Sequence, residues 1–434
     1  MLPSPLTGRC GRHKNRAMES QLKELEADPG SDAMTRPRLR PGIGIVADKS
    51  DGRHIYLWDQ LRLGNRPERL NALEFFCIQL FDGKHNLRDV QSEAMRRVGG
   101  TFLPLEWFTA LVERLEQALM LDGPRFQARL RSPVREPSCI GTYEAEPAAL
   151  RRQLSELFTG PGGPGLPRPR APDGQLRAAL IPHIDYLRGG RTFAWGFREV
   201  VERTDASLFV IIGTSHYSVH RFTLTRKDFK TPLGIARTDQ AYIDRLASHY
   251  GDGLFDDEMA HLPEHSIELE VVLLQYLYEE RWPFRIVPLL VGPFSDCLAD
   301  GSTAPSTRPD IRRMIKALRR AEQETNEPIC YIISGDLAHL GPKFGDPEPI
   351  AEPFLARSRA QDQALLSRVE AADSEGFYNV INGEADRRRI CGFPPTYVTL
   401  EAARPSKGKL LHYDRYFHPR GFESVSFASV ALYR

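Results

Sequence analysis

Three histidines lie directly after short apolar runs that have the composition of buried strands. They are His183, His216 and His339, and the third is preceded by Asp336. In an open α/β sheet, ligand sites form in the crevice outside the carboxyl ends of the strands. Since these four side chains all leave such strand ends, the sequence predicts that they meet at one site. Taken singly, each histidine has an alternative as a surface or hydrogen-bonded residue.

A cysteine completes a set of potential metal ligands. Cys391 lies in the motif Arg388-Arg389-Ile390-Cys391-Gly392, at the start of a predicted helix. A helix N-terminus and nearby arginines both favour the thiolate, the form that binds metals, and Gly392 leaves room for a ligand. With His183 and His216, this thiolate could hold Zn²⁺, Fe²⁺ or copper and leave one coordination position open.

The other polar residues of the crevice are predicted to move protons. Asp336 would orient the metal ligands, and His339 would act as a general base. For Asp336 the alternative is a turn cap after the strand. A further candidate, His265, begins a predicted helix after Pro263-Glu264 and shares a helix face with Glu268. Either this face points into the crevice, or it is the solvated, acidic first turn of an amphipathic helix.

The elements that must position these residues alternate between strand and helix over residues 173–434. Predicted strands are 178–181, 207–213, 284–291, 330–334, 409–416 and 424–432. Predicted helices are 192–201, 241–250, 264–279, 310–324, 354–369 and 394–403. Continuous apolar runs are typical of strands buried on both faces, and turn residues between the last two strands favour antiparallel pairing. The prediction is an α/β domain whose mixed sheet is flanked by helices.

A smaller α+β domain is predicted ahead of it, over residues 41–135. A β-hairpin over 43–58 and helices over 71–81, 86–98 and 105–120 have the order of a winged-helix-like domain. Residues 1–40 are predicted to be disordered, because they are rich in Pro, Gly and charge and have no sustained period. Residues 136–172 are dense in Pro and Gly and are predicted to be a linker.

Composition limits the classes of function. The 434 residues carry a formal net charge of +1, which gives no basis for a nucleic-acid or acidic-membrane partner. No apolar run approaches the roughly 20 residues that span a bilayer, and the N-terminus has no signal-peptide core. A soluble, cytoplasmic protein is therefore expected. The six cysteines show no CxxC spacing, so all except Cys391 are interpreted as small buried hydrophobes, Cys330 in particular.

From about residue 176 to 434 the chain resembles the MEMO-like family, which includes the AmmeMemoRadiSam system protein B. The matching motifs occupy residues 182–186, 213–217, 264–268, 286–292, 334–339, 390–392 and 424–426. The resemblance implies the fold of the LigB-type class III extradiol dioxygenases, which are non-haem iron enzymes. It also implies that His183, His216 and Cys391 bind the metal, with Asp336 and His339 beside them.

Two features depart from that family pattern. The family usually has Ala-Gly after the first histidine, where this chain has Ile184-Asp185, and the extra carboxylate could be a ligand or could reshape substrate access. The LigB enzymes use two histidines and a glutamate, whereas Cys391 would change the charge and redox behaviour of the metal. Residues 42–130 are an addition to the family pattern and resemble the PqqD-like peptide-recognition winged helices.

Three functions follow from these expectations. The first is a metal-dependent oxidoreductase, with iron as the expected metal. The second is a peptide- or protein-binding module, whose partners by resemblance would be an AMMECR-type protein and a radical SAM enzyme. The third is metal-assisted hydrolysis, since an open metal site can activate water. No Gly-x-Ser-x-Gly motif supports a serine hydrolase.

Overall fold

The computed structural model describes residues 34–47, 54–64, 66–168, 175–278, 282–298 and 303–434. The chain divides into two compact units, Met1–Ser132 and Pro133–Arg434. Of the N-terminal segment predicted to be disordered, residues 1–33 lie outside the described residues. Within the remainder, Arg38 forms a β-bridge with Asp82, and Leu39 forms one with Leu121.

The first unit is a three-stranded antiparallel sheet with helices. Its elements are β1 (Ile43–Ala47), β2 (Ile55–Asp59), β3 (Glu68–Leu70), α1 (Ala72–Ile78), α2 (Leu87–Arg97), α3 (Leu105–Gln117) and α4 (Pro124–Arg131). Asn71 and Asn86 start α1 and α2 with capping boxes, in which the side chain and the third helical residue satisfy each other's backbone N–H groups. This small α+β unit agrees with the predicted fold class, while β3 and α4 are additions to it.

The second unit contains an eleven-stranded mixed sheet. Its strands are β4 (Val134–Arg135), β5 (Leu176–Ile181), β6 (Leu208–Thr214), β7 (Phe222–Leu224), β8 (Asp228–Thr231), β9 (Gly234–Thr238), β10 (Arg285–Val291), β11 (Ile329–Ser334), β12 (His339–Leu340), β13 (Lys407–Phe417) and β14 (Ser424–Tyr433). Its α-helices are α5 (Pro147–Thr159), α6 (Tyr186–Arg203), α7 (Gln240–Tyr250), α8 (His265–Tyr278), α9 (Pro309–Gln323), α10 (Glu352–Glu370), α11 (Ser374–Gly383) and α12 (Phe393–Ala403).

The sheet is parallel at its centre and contains antiparallel pairs on both sides of it. The strand order is β12-β14-β5-β11-β6-β10-β9-β8-β4, with β13 paired to β14 and β7 to β10. Strands β5, β11, β6 and β10 run parallel to one another, whereas β14 is antiparallel to β5 and to β13. The predicted α/β fold with a mixed sheet, including the antiparallel last pair, is confirmed.

The apolar run of β6 shows why the central strands are continuous in hydrophobicity. Leu208, Val210 and Ile212 belong to one cluster of buried side chains, and Phe209 and Ile211 belong to another. Successive residues of a strand point to opposite faces, so each face of β6 packs in a core.

The segment that the sequence assigns to a linker, 136–172, lies in the second unit as far as it is described. Strand β4, which directly precedes this segment, pairs with β8. Helix α5, which lies within the segment, buries Leu150, Leu154 and Phe158 in the core. No helix among the described residues is both long and apolar enough to cross a membrane.

Candidate metal centre

Three neighbouring parallel strands bring the candidate residues to one edge of the sheet. His183 follows β5, His216 follows β6, and Asp336 follows β11, which lies between those two strands. The imidazole centroids of His183 and His216 are 5.2 Å apart. The convergence predicted from strand ends is therefore present for these residues.

The ring of His183 is held in one tautomer by Ser334. The Ser334 hydroxyl donates to the carbonyl of Ser266, so its oxygen can only accept from His183 Nδ1, 3.4 Å away. The proton of the neutral ring is therefore on Nδ1. The lone pair of Nε2 faces Cys391, whose Sγ is 3.2 Å away.

Two further histidines are also hydrogen-bonded through Nδ1. His216 places Nδ1 2.9 Å from one carboxylate oxygen of Glu264, and the other oxygen accepts the His216 backbone N–H at 2.8 Å. His339 places Nδ1 3.1 Å from each of two carbonyl oxygens, those of Leu337 and Arg389. Because Nδ1 is the donor in both rings, Nε2 is free to accept a proton or bind a metal.

A close contact between Gly335 and Gly392 brings Cys391 to the site. A Cβ on Gly335 would lie 2.4 Å from the Cα of Gly392, and a Cβ on Gly392 would lie 2.7 Å from the carbonyl oxygen of Asp336. Cys391 Sγ then accepts the Asp336 backbone N–H at 3.3 Å. The prediction that Gly392 leaves room for a ligand is wrong, since the space is taken by the chain after β11.

The arginines beside Cys391 do not support its thiolate. Arg388 is bound to Asp362 and Glu384, and Arg389 is paired with Asp346 at 2.6 Å. In the protein without metal, burial raises the pKa of the Cys391 thiol well above its usual value, and the carboxyl of Asp336 adds to this effect. The predicted depression of the thiol pKa by neighbouring arginines is therefore wrong.

Burial and neighbouring charge set the other protonation states. Burial lowers the pKa of His183 well below its usual value, and the imidazole of His216 lowers it further. For His216, burial also opposes protonation, but the carboxylate of Glu264 outweighs it and raises the pKa. His183 and Cys391 are thus a neutral imidazole and a neutral thiol in contact, beside a histidine that holds a proton more readily.

The donor set fits a transition-metal ion. His183, His216 and Cys391 each offer one ligand atom, and these three atoms lie within 4.8 Å of one another. Asp336, His339 and Cys391 form a second group with the same property. Imidazole nitrogens and a thiolate suit iron, copper and zinc. In the neutral form of each ring, the hydrogen bond at Nδ1 leaves Nε2 without a proton and able to bind the metal.

His265 and Asp336 complete the polar lining. The His265 ring stacks on that of His216, with centroids 4.7 Å apart, and burial lowers its pKa to about 3. One oxygen of Asp336 accepts the backbone N–H of His183 at 3.0 Å, while the other lies 3.9 Å from His183 Nε2. Burial raises the pKa of Asp336.

Two carboxylates that the sequence placed near the crevice have other partners. Asp185 caps α6 by accepting the backbone N–H of Arg188 at 3.0 Å, and it also pairs with the Arg188 guanidinium. Glu268 is buried in an ion pair with Arg135. Neither carboxylate belongs to a potential metal-binding group among the described residues.

Sequence reasoning missed the two residues that orient the histidines. Glu264 was interpreted as an acidic residue at a helix start, and Ser334 as the end of an apolar strand. Each is the first residue of a motif that carries the family resemblance, 264–268 and 334–339, and this was the available signal. Neither was given a role in orienting a histidine.

Comparison with known proteins agrees with this architecture. Residues 135–431 match the family described as Memo-like protein. A MEMO1 family protein of Aquifex aeolicus is 25% identical over 371 residues, which cover 82% of this chain and 90% of the relative. A MEMO1 family protein of Methanothermobacter thermautotrophicus is 29% identical over 275 residues, covering 62% of this chain and 88% of the relative. Since the family match spans more than half of the chain and includes every candidate ligand, the chain belongs to the Memo-like family.

Proposed function

We propose that this protein is a metal-dependent oxidoreductase whose metal is held by His183, His216 and Cys391. The observation that carries the proposal is the hydrogen bonding of both rings at Nδ1. In the neutral form of each ring this leaves Nε2 without a proton, and Nε2 of His183 faces the Cys391 sulfur. If these histidines served only as hydrogen-bonding groups of the core, their Nε2 acceptor atoms would not be expected to face one another.

Iron is the first candidate for the metal, and copper and zinc are the alternatives. Two imidazoles, a thiolate and a nearby carboxylate form a mixed donor set that Fe²⁺ accepts, while the thiolate also suits copper and Zn²⁺. When bound, iron or copper would supply one-electron redox chemistry, and zinc would supply only a Lewis acid.

The chain's own residues can handle protons at this site. Burial lowers the pKa of His339, so its Nε2 is available as a base at neutral pH. Burial raises the pKa of Asp336, which favours a carboxyl group that can donate. Burial therefore favours the neutral form of both groups, so an imidazole that can accept a proton lies beside a carboxyl group that can donate one. We assign His339 as the base, Asp336 as its partner, and His265 as a neutral imidazole that packs on His216.

The test is elemental analysis of protein purified without oxygen. We expect near-stoichiometric iron or copper in the wild-type protein, and its loss in Cys391→Ala and His216→Ala variants that keep the wild-type circular dichroism spectrum. Dioxygen uptake by the loaded protein would then be screened. Metal-free protein after anaerobic reconstitution with iron, copper and zinc would overturn the proposal, and so would unchanged metal content in the two variants.

A second candidate function is a peptide- or protein-binding module, favoured by one surface of the first unit. A cavity of about 670 Å³ there is lined by Val46, Tyr56 and Trp58 among others, and the residues Val46 and Trp58 are 50% and 42% exposed. Exposed apolar side chains around a concavity are typical of binding sites. The partners under this proposal are an AMMECR-type protein and a radical SAM enzyme.

Pull-down experiments with those two proteins separate the candidates. For a binding module, capture should survive Cys391→Ala and fail after Trp58→Ser in the full chain. Capture that ignores Trp58, or that needs Cys391, would contradict the module proposal.

A further inference from the structure

The geometry of the metal centre depends on Glu264. This carboxylate is buried and accepts the His216 backbone N–H and Nδ1–H at 2.8 and 2.9 Å. It also accepts the backbone N–H groups of His265 and Ser266 at 3.0 and 3.1 Å, at the first turn of α8. The orientation of His216 is therefore set by where the backbone of residue 264 lies.

That backbone is irregular and is held from outside its own element. Residues 262–264 connect a 3₁₀ turn, Glu258–His261, to α8. The guanidinium of Arg135, on β4, donates from Nε to the carbonyl of His261 at 2.8 Å and from Nη2 to the carbonyl of Glu264 at 2.7 Å. One planar group thus fixes both ends of this short connection, a task for which the rigid fork of arginine is suited.

The charge of Arg135 is balanced within the same cluster. Its Nη1 donates to Glu268, one turn into α8, and both side chains are fully buried. Glu268 also accepts the backbone N–H groups of Ser138 and Cys139 at 2.9 and 3.0 Å and the Tyr143 hydroxyl. Glu268 therefore has hydrogen-bond donors besides Arg135, which supplies its counter-charge.

We propose that Arg135 is a positioning residue of the metal centre, acting through the backbone of residues 261–264 on Glu264 and thereby on His216. This inference rests on the proposed metal-binding function. The alternative is that Arg135 only fastens β4 to α8. The proposal requires that metal binding depends on the pair of hydrogen bonds from Arg135 to the carbonyls of His261 and Glu264. Under the alternative, the positive charge of residue 135 beside Glu268 is enough.

Arg135→Lys in the full chain separates charge from fork, because lysine keeps the positive charge beside Glu268 but offers a single nitrogen. Arg177→Lys is the matched control. Arg177 also pairs with a glutamate, Glu322, donates to a carbonyl, that of Ala403 at 2.9 Å, and lies over an aromatic ring. It is placed at the start of β5, the end of that strand remote from His183.

Zn²⁺ affinity is measured by competition with a chromophoric chelator, and Co²⁺ is used to record the thiolate charge-transfer band. For Arg135→Lys we expect a Zn²⁺ affinity about 10- to 100-fold weaker, as is typical when a residue that orients a ligand is lost, and a changed Co²⁺ spectrum. Arg177→Lys should match the wild type in both. A folded Arg135→Lys variant with wild-type affinity and spectrum would overturn the inference.

A second readout does not depend on metal. The Nδ1–H proton of His216 should give an NMR signal that is protected from exchange in the metal-free wild-type protein, because the buried carboxylate of Glu264 accepts it. Loss of this signal in Arg135→Lys supports the inference even if the wild type binds no metal, an outcome that would refute the proposed function alone. Retention of the signal would overturn the inference on either background.

Two other variants distinguish a specific effect on Zn²⁺ affinity from a general loss of folding stability. Glu268→Gln weakens the ion pair but keeps both carbonyl contacts of Arg135, so Zn²⁺ affinity should stay near that of the wild type. Phe229→Leu removes the ring 5.0 Å beneath the guanidinium and should loosen the fork, giving a smaller loss of affinity in the same direction. This variant decides the question if Arg135→Lys does not fold, and unchanged affinity in it would then overturn the inference.

Discussion

The Nε2 atom of His183 lies 3.2 Å from the Sγ atom of Cys391, although 208 residues separate them in the chain. Burial keeps the imidazole neutral by lowering its pKa and keeps the thiol neutral by raising its pKa. The thiol proton must leave before both atoms can act as ligands. Metal binding at this site is therefore expected to release a proton and to stabilise the fold.

Zn²⁺ should raise the thermal stability of the wild-type protein and not that of Cys391→Ser. A ligand present at 100 times its dissociation constant stabilises the folded state by about 2.7 kcal/mol when it does not bind the unfolded chain. Differential scanning calorimetry with Zn²⁺ and with a chelator measures this increment. Cys330→Ala is the control, because Cys330 is a buried cysteine of β11 outside the candidate ligand set. The Cys330→Ala variant should have a lower thermal stability without Zn²⁺ and should show the same increase when Zn²⁺ is added. An equal increment in Cys391→Ser would contradict the assignment.

Gly335→Ala should damage both stability and the metal centre. The new Cβ would lie 2.4 Å from the Cα of Gly392, so the chain carrying Cys391 must move, at a cost of about 1–3 kcal/mol. Urea denaturation and Zn²⁺ titration measure the two effects. Gly383→Ala is the control, because its Cβ would have no neighbour within 4 Å, and it should change stability by less than about 1 kcal/mol. Wild-type Zn²⁺ affinity in Gly335→Ala would show that the glycine contact does not place Cys391.

The convergence of His183, His216 and Asp336 could be predicted because it depends on a local pattern. An apolar run marks a strand, the residue after it leaves the sheet, and parallel neighbours share the edge. The order of the strands in the sheet was not needed for this prediction. That order does not follow from the local pattern, so the position of β11 between β5 and β6 was not predicted.

The contacts that orient these side chains could not be read in the same way. Glu264 and His216 are 48 residues apart, and their contact depends on how α8 packs on the sheet. The direction of Arg388 is set by Asp362, which lies in α10, and by Glu384, which directly follows α11. A motif in the sequence shows that arginines lie near Cys391 in the chain, but not that they point away from it.

Stability should fall between about pH 7 and about pH 5, in part because of His261. Burial lowers the pKa of its ring to about 3, and Nε2 donates to the carbonyl of Thr223 at 3.0 Å. Below a pKa of about 6.5 the unfolded chain takes up a proton that the folded protein refuses, so stability is present at neutral pH and is lost on acidification. Over this range the loss from one such group is about 2 kcal/mol.

The free energy of unfolding of His261→Gln, measured in urea at both pH values, tests this account. The amide of glutamine can still donate to Thr223 but does not titrate. The variant should therefore lose about 2 kcal/mol less than the wild type on acidification. An unchanged pH dependence would show that His261 accepts a proton in the folded protein.

Arg388→Met should be among the most destabilising single substitutions in the second unit. The Arg388 guanidinium is buried and contacts both Asp362 and Glu384, so its removal leaves Glu384 without its cation and Asp362 with only the more distant Arg415, 3.8 Å away, at a cost of about 3–5 kcal/mol. The control is Arg368→Met, because Arg368 and Asp373 form an ion pair whose side chains are 51% and 37% exposed, and such pairs contribute at most about 1 kcal/mol. Urea denaturation compares the two. The Arg388 carbonyl also accepts the backbone N–H of His339 at 2.7 Å, so displacement of this backbone would reach the proposed base. A loss below about 1 kcal/mol for Arg388→Met would mean that solvent enters the cluster and screens its charges.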